Sequence, residues 1–180
     1  MARETTYSTG ARHFHWWTVA LLAIQLPLGL YIVRGDAGAL YDFHKLLGLA
    51  ILALVVARLV YRLVHGAPAD EPTLEWWQKA ASHATHWSLY LLLVLVPILG
   101  WLGVSLYGAR DLWGGLVTIP PLSGVDQPAS ESVLLLHRYL AVLTAALIAM
   151  HIGAAVVLHW FIRGDGVLAR MLPWAGVRGK

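Results

Sequence analysis

Four long apolar stretches, each containing histidine, constrain this chain more than any other feature of its sequence. They cover residues 14–33, 43–64, 86–107 and 137–162. About 20 apolar residues in a helix cross a lipid bilayer, so each stretch is long enough to span one. The chain is only 13% charged, against about 25% in an average soluble domain. The sequence therefore predicts a single all-α domain over residues 1–180, an integral membrane four-helix bundle with up-down topology.

The lysines and arginines predict the orientation of these spans. With four spans, both termini and the loop between the second and third spans lie on one side of the membrane. That side holds nine of the thirteen basic residues: Arg3, Arg12, Arg58, Arg62, Lys79, Arg163, Arg170, Arg178 and Lys180. The other side holds Arg34, Lys45, Arg110 and Arg138. Basic residues accumulate on the cytoplasmic side, so we expect both termini there, at the inner side of the bundle.

The connecting segments differ in length and composition. Residues 34–43 predict a tight outer turn, and residues 65–85 an inner segment with a short interfacial helix over 75–84. Residues 108–136 predict a long outer loop, rich in glycine and proline. Loops longer than about 12–15 residues are often functional, which makes this one a candidate docking surface.

The residue types that are missing exclude several metal sites. The chain has no cysteine, which excludes disulfides, thiolate zinc sites, iron–sulfur clusters and covalently attached haem. No carboxylate lies within a span, which argues against a di-iron site, and no HExxH motif supports a zinc hydrolase. The nine histidines remain, and imidazole suits iron, copper, zinc and nickel.

Histidines on three of the spans match in depth. His137 and His151 are fourteen residues apart, which places them within about 40° of one helix face and roughly 21 Å apart along the axis. His44 opens the second span at the outer side, and His15 opens the first span at the inner side. The depths predict His44 opposite His137 and His15 opposite His151, as two b-type haems would require. Separate interfacial histidines are the alternative.

Short motifs add a family resemblance that covers nearly the whole chain, from Tyr7 to Pro173. In order along the chain they are Phe14-His15-Trp16, His44-Lys45-Leu46-Leu47-Gly48, Arg58-Leu59-Val60-Tyr61-Arg62, His83-Ala84-Thr85-His86, Pro97-Ile98-Leu99-Gly100-Trp101, the pair His137 and His151, and Leu168-Ala169-Arg170-Met171-Leu172-Pro173. In this order they resemble the bacterial cytochrome b561 family, dihaem b-type cytochromes of the inner membrane. The resemblance implies two bis-histidine haems on the same two pairs. It also implies superoxide oxidation coupled to ubiquinone reduction.

One departure from the family pattern affects the quinone. Relatives often carry two histidines before the aromatic pair that ends the fourth helix, whereas this chain has Leu158-His159 before Trp160-Phe161. If the missing histidine helps to bind quinone in relatives, that site is in doubt here. Assuming a regular α-helix, His159 lies about 80° off the His137/His151 face. It is a candidate for quinone binding or proton relay, with a snorkelling residue as the alternative.

The other polar residues near the expected ligands have two interpretations each. His83 and His86 lie three apart at the inner end of the third span and are rivals to His15 as inner ligands; they are also candidates for binding a haem propionate or a quinone. Four cations adjoin the expected ligands and are candidate propionate partners, or else solvated helix-end charges: Arg12, Lys45, Arg58 and Arg138. His13 and His65 are assigned no role.

Two axial histidines leave no open coordination position on iron, which favours electron transfer over oxygen binding. We expect electrons to pass between a periplasmic-side donor, superoxide or a periplasmic redox protein, and ubiquinone, with lipid but no nucleic acid as a partner. The outer segments carry four basic against five acidic residues, which gives no overall steering of an anion. The alternatives are a membrane cytochrome subunit of a larger dehydrogenase or hydrogenase complex, and an anchor or small transporter without haem.

Overall fold

The computed structural model describes residues 6–35 and 38–172 and contains four long helices. They are α1 (Thr9–Ile32), α2 (Ala39–His65), α3 (Trp76–Tyr107) and α4 (Gln127–Gly153), and α4 continues as a π-helical segment, Ala154–Arg163. All four are long and apolar enough to cross a membrane. The predicted all-α membrane four-helix bundle is thereby confirmed. Four residues named above, Arg3, Pro173, Arg178 and Lys180, lie outside the described residues, as does Asp36, one of the five acidic residues of the outer segments.

Side-chain contacts define the two ends of the bundle and confirm its up-down topology. At one end, called the terminal end, the hydroxyls of Ser8 and Tyr61 are 3.1 Å apart. Trp16 there donates its indole N–H to the carbonyl of Met171, at 3.2 Å. The opposite end is called the hairpin end, because the segment between α3 and α4 forms a β-hairpin there. At this end, the backbone N–H of Trp113 donates to the Asp42 carboxylate, at 2.8 Å. The terminal end therefore holds the start of α1 and the end of α2, and the hairpin end holds the start of α2.

Capping residues extend two helices beyond their predicted starts. Glu75 and Gln78 form a reciprocal capping box at the start of α3, which satisfies backbone N–H groups that a helix start leaves unpaired. The predicted short interfacial helix over 75–84 is therefore wrong, because these residues form the first turns of α3. The Asp126 carboxylate caps α4 by accepting from the backbone N–H of Ala129 at 3.1 Å. The segment between α3 and α4 is thus shorter than predicted, over residues 108–126.

A two-stranded hairpin forms within that segment. Strand β1 (Asp111–Leu112) pairs antiparallel with β2 (Val117–Thr118). The turn between them runs through Trp113, Gly114 and Gly115 with φ of +47°, +70° and +95°, a left-handed conformation that glycine adopts without steric cost. Trp113 adopts this conformation although it has a Cβ, which makes it sterically unfavourable. Its backbone N–H contacts Asp42 of α2, and its ring contacts Phe43 of α2. The hairpin is thus held over the start of α2.

The π-helical segment changes the direction of the residues that follow His151. A π-helix turns through about 82° per residue instead of about 100°. The predicted direction of the His159 side chain, about 80° from the His151 face, holds only for a regular α-helix. It is therefore wrong for this π-helical segment. The slower turn brings His159 back toward the face that carries His151.

The buried apolar core lies among three of the four helices. Its centre is Ile51 and Val55 of α2 with Tyr90 and Leu93 of α3, and Leu21 and Leu22 of α1 pack against it. No residue of α4 belongs to this core within the described part of the chain. Helix α4 packs closely on α3 instead, where the Ser130 hydroxyl donates to the Gly103 carbonyl at 2.9 Å. The sides of α1 and α2 that face α4 are therefore free to hold other groups.

We expect Gly103→Ala to weaken the α3–α4 contact. A Cβ at Gly103 would lie 2.5 Å from Leu134 Cδ2, and overpacking of this kind costs about 1–3 kcal/mol. Thermal unfolding in detergent measures the effect as a lower Tm. The matched control is Gly153→Ala, where a Cβ meets nothing within 4 Å. An equal Tm for Gly103→Ala and the wild type would contradict the close packing described here.

Candidate functional site

One histidine pair joins α2 and α4 near the hairpin end. The ring centroids of His44 and His137 are 6.2 Å apart, with the ring planes at 90°. His137 donates its Nδ1–H to the Val96 carbonyl of α3, at 2.8 Å. A hydrogen bond of this kind fixes the ring and leaves Nε2 with its lone pair for a metal. The His44 Nδ1 is buried and has no hydrogen-bond partner among the described residues.

Two glycines make room for this pair. A Cβ at Gly100 would lie 3.0 Å from Cε1 of His137, and one at Gly29 would lie 3.2 Å from Cε1 of His44. Both distances are tighter than ordinary van der Waals contact. A glycine inside a helix is otherwise destabilising by about 1 kcal/mol relative to alanine. The backbones of α1 and α3 therefore form a cradle that any larger residue would partly fill.

A second pair joins α1 and α4 near the terminal end. The ring centroids of His15 and His151 are 6.4 Å apart, at 71°. The Arg58 guanidinium of α2 donates to His15 Nδ1, at 3.1 Å. The structure thus brings together the two pairs that depth matching predicted from the sequence, one above the other along α4.

A third histidine stands beside the terminal-end pair. The His86 ring centroid lies 5.3 Å from that of His151, and the His86 Nδ1 is within 3.4 Å of the Ser82 hydroxyl. The structure separates His86 from His83, which is exposed and pairs with Asp70 at 3.1 Å. His83 is therefore not a rival ligand, whereas His86 is in reach of the pair.

The other predicted site residues are spread over both ends. Lys45 donates to Asp42 at 3.2 Å and to the Ala109 carbonyl at 3.1 Å. Arg138 is exposed one residue after His137, and Arg12 donates to the Thr9 hydroxyl at 3.3 Å. Lys45 and Arg12 thus each have a hydrogen-bond partner within the described part of the chain.

His159 belongs to a small polar cluster at the terminal end. It pairs with Asp165 at 2.8 Å, and Arg163 approaches the same carboxylate oxygen at 3.3 Å. The His159 and Asp165 side chains are 12% and 6% exposed, so this pair is shielded from solvent. A carboxylate on one ring nitrogen orients the ring and leaves the other nitrogen to hold or pass a proton.

The distances within the pairs suit one metal ion between two imidazoles. A metal–imidazole bond is about 2.0–2.1 Å long, and the nitrogen lies about 1.1 Å from its ring centre, so two opposed rings have centroids about 6.3 Å apart. The observed separations, 6.2 and 6.4 Å, agree with this value, whereas 5.3 Å for His86 and His151 is too short. The described residues contain no cluster of three or more His, Asp or Glu side chains that could hold a bare metal ion. A planar group that supplies the remaining ligands, such as a haem, fits this donor set.

Gln25 is the site residue that the sequence reasoning missed. Its amide N–H donates to the His44 carbonyl at 3.1 Å, and its Oε1 is buried without a partner among the residues described. The Gln25 amide nitrogen also lies 3.5 Å from the His44 Nε2. An unpaired polar atom in an apolar interior is unfavourable, so the Gln25 Oε1 would gain from a donor beside His44. The signal was present, because Gln25 is a polar residue in the middle of the uncharged first span.

Comparisons with known proteins match the sequence of this chain to a family of cytochromes. The sequence model of the family described as "Prokaryotic cytochrome b561" matches residues 6–174. A probable superoxide oxidase CybB of Yersinia pestis is 27% identical over 164 residues, covering 88% of this chain and 91% of the relative. Cytochrome b561 homolog 2 of Escherichia coli (strain K12) is 28% identical over 171 residues, covering 92% and 90%. A cytochrome b562 of Cereibacter sphaeroides is 25% identical and covers 96% and 98%.

We expect Gly100→Val to displace His137 and weaken haem binding at the hairpin end. The added side chain would enter the space of the His137 ring, whose Cε1 is 3.0 Å from the position of a Cβ. Haem per chain, measured by the pyridine haemochrome method, should fall, with the terminal-end haem retained. Gly124→Val is the control, because a Cβ there meets nothing within 4 Å. Full haem content in Gly100→Val would show that this cradle is not needed.

Proposed function

The chain belongs to the prokaryotic cytochrome b561 family, and on that premise we propose that it carries electrons across the bilayer between a periplasmic-side donor and ubiquinone. The chain is a bacterial membrane b-type cytochrome of electron transfer. The observation that supports a path across the bilayer is the presence of two histidine pairs, each at a separation that suits two ligands of one metal ion. They lie one above the other, so two haems would form a path across the membrane.

The residues that would hold the two haems are divided between the ends of the bundle. His44 and His137 would hold one at the hairpin end, and His15 and His151 the other at the terminal end. Bound haem supplies one-electron iron chemistry. The chain supplies four fixed imidazoles, which leave iron no open position, and an apolar surrounding that excludes water. Gly29 and Gly100 keep the backbones of α1 and α3 clear of the rings of the hairpin-end pair.

We place both termini in the cytoplasm, which puts the hairpin end at the periplasm. Among the described residues, six basic residues lie at the terminal end: Arg12, Arg58, Arg62, Lys79, Arg163 and Arg170. Four lie at the hairpin end: Arg34, Lys45, Arg110 and Arg138. This excess has the sign that cytoplasmic loops carry. The donor would then react at the hairpin end.

Superoxide is the donor that we propose, supported by the similarity of this chain to the probable superoxide oxidase of Yersinia pestis. Two superoxide anions each lose one electron and leave as dioxygen, and one ubiquinone takes up the two electrons with two protons to give ubiquinol. A positive charge near the entry point would attract the anion. Lys45 does not serve that purpose well, because Asp42 neutralises it at 3.2 Å. Arg138, exposed beside His137, is the better candidate.

The quinone would be reduced at the terminal end, where its protons are available from the cytoplasm. The shielded His159–Asp165 pair is suited to hold a proton there, and the π-helical segment turns His159 toward the face of His151. A π-helical turn is often found at functional sites. We assign His159 the transfer of a proton to the reduced quinone, and His86 a polar contact to its head group.

A second candidate function is that of an electron-transfer subunit docked to a periplasmic redox protein. The hairpin segment favours it, because apolar side chains are exposed there: Leu116 is 83% and Val125 is 69% accessible. Exposed apolar residues of this kind are typical of interaction surfaces. Co-purification of a large soluble dehydrogenase would support this function over the stand-alone oxidase.

The central experiment measures haem in histidine variants. We expect two haems per chain in the wild type, read from the reduced-minus-oxidised spectrum and the pyridine haemochrome. His44→Ala and His137→Ala should lose the same haem, and His15→Ala and His151→Ala the other. His13→Ala is the control, because His13 is exposed. A colourless wild-type protein would contradict the proposed function. Loss of the terminal-end haem in His86→Ala with retention in His15→Ala would overturn the ligand assignment.

Superoxide oxidation is tested with the purified haem-loaded protein and a soluble ubiquinone. We expect quinol formation at a rate that Arg138→Gln lowers several-fold, with a weaker dependence on ionic strength, because the steering charge is removed. Arg34→Gln is the matched control, another exposed cation at the same end. A protein with both haems that does not react with superoxide would exclude this donor.

A further inference from the structure

Two arginines at the terminal end lack a carboxylate partner. Arg58 and Arg62 lie one turn apart on α2, and neither forms an ion pair within the described residues. Both guanidiniums lie over the Tyr90 ring, at 5.3 and 5.9 Å from its centroid. They line a cavity of about 30 Å³ together with Tyr7, Tyr61 and His86. Two partly buried positive charges therefore face the interior at this level without a neutralising anion from the described part of the chain, and they would be available to offset the negative charge of the propionates of a haem held here.

One of these charges touches an expected haem ligand. The Arg58 guanidinium donates to His15 Nδ1 at 3.1 Å. Arginine stays protonated at any physiological pH, so the guanidinium is a permanent positive charge beside the imidazole. A histidine that binds iron through Nε2 carries its proton on Nδ1, so in the haem-loaded protein Arg58 would act on His15 through its charge and not as a hydrogen-bond donor. A cation beside a ligand withdraws electron density from it and favours the state of the metal that carries one more electron.

The hairpin end has the opposite arrangement. The cation there, Lys45, is neutralised by Asp42 at 3.2 Å, and Arg138 is exposed, where solvent and salt screen its charge. The ligand His137 donates its N–H to a backbone carbonyl, which increases electron donation by the ring. Each of these differences stabilises the oxidised metal at the hairpin end relative to the terminal end.

We propose that Arg58, supported by Arg62, raises the reduction potential of the terminal-end haem above that of the hairpin-end haem. This proposal rests on the proposed dihaem function and gives it a direction. With haems held by the two pairs, one electron would leave the hairpin-end haem, which would be oxidised, and reach the terminal-end haem, which would be reduced, with no bond or proton transferred. The step between the two haems would then be energetically downhill toward the terminal end, where we place the quinone. Arg58 is a tuning residue, since it acts on the metal through His15.

The test is a spectroelectrochemical redox titration of the full-length, haem-loaded protein. The His137→Ala background retains only the terminal-end haem and so identifies its potential. We expect Arg58→Gln to lower that potential by at least about 59 mV, a tenfold change in a one-electron equilibrium. Arg58→Lys, which keeps the charge, should restore most of the loss. A structural role alone would change haem content and leave the potential of the remaining haem in place.

Three further measurements keep the proposal falsifiable. Lys45→Gln in the His15→Ala background should shift the hairpin-end haem by less, because Asp42 already neutralises Lys45. If the Arg58→Gln variant does not bind the terminal-end haem, the titration is made on Arg62→Gln instead. We then expect a smaller decrease in the reduction potential, because Arg58 contacts His15 and Arg62 forms no hydrogen bond with it among the described residues. An unchanged potential in both arginine variants, or a wild-type terminal-end haem of lower potential than the other, would overturn the proposal. Absence of haem from the wild type would instead overturn the proposed function beneath it.

Discussion

Four imidazoles held in two facing pairs inside an apolar bundle are the constraint on which the rest of this structure depends. Lipid offers no hydrogen bonds, so polar groups within a span must find partners inside the protein. Here they do so only in part, because His44 Nδ1 and Gln25 Oε1 stay buried without a partner among the described residues. The apolar core of α1, α2 and α3 excludes α4, and the histidines face one another between α4 and that core. A metal-bearing planar group accounts for both the separation of the rings and the space around them.

The two ends of the bundle resemble each other in their ligands and differ in their charges. At the hairpin end, Asp42 holds Lys45 and also accepts from the backbone N–H of Trp113, so one carboxylate both neutralises a cation and fixes the hairpin over α2. At the terminal end, Arg58 and Arg62 contact aromatic rings and a histidine. An electron path with identical ligands at both levels has no inherent direction. In the function proposed above, unequal fixed charges beside the two histidine pairs would give it one.

Much of this architecture could be predicted from the sequence, and the errors have identifiable causes. Apolar length gave the four spans, and the spacing of His137 and His151 placed them on one face of a helix. Helix α4 starts earlier than predicted because Asp126 forms a side-chain cap, and residues 75–84 belong to α3 because Glu75 and Gln78 form a capping box at its start. The spacing of His83 and His86 places them together, yet Asp70 pairs with His83 at the surface. The two caps are local side-chain contacts, whereas the His83–Asp70 pair joins residues thirteen apart.

The sequence by itself determined the class of the protein, because apolar length and composition exclude a soluble fold, and the absence of cysteine leaves histidine as the metal ligand. It also determined the depth in the membrane of each histidine in the two pairs, since depth follows from position along a helix. Only the tertiary structure decided which charges act on which ligand. Arg58 reaches His15 from another helix, and the π-helical turn after Gly153 redirects His159 toward Asp165. Lateral contacts between helices depend on their rotation and packing, and a linear pattern of apolar residues specifies neither.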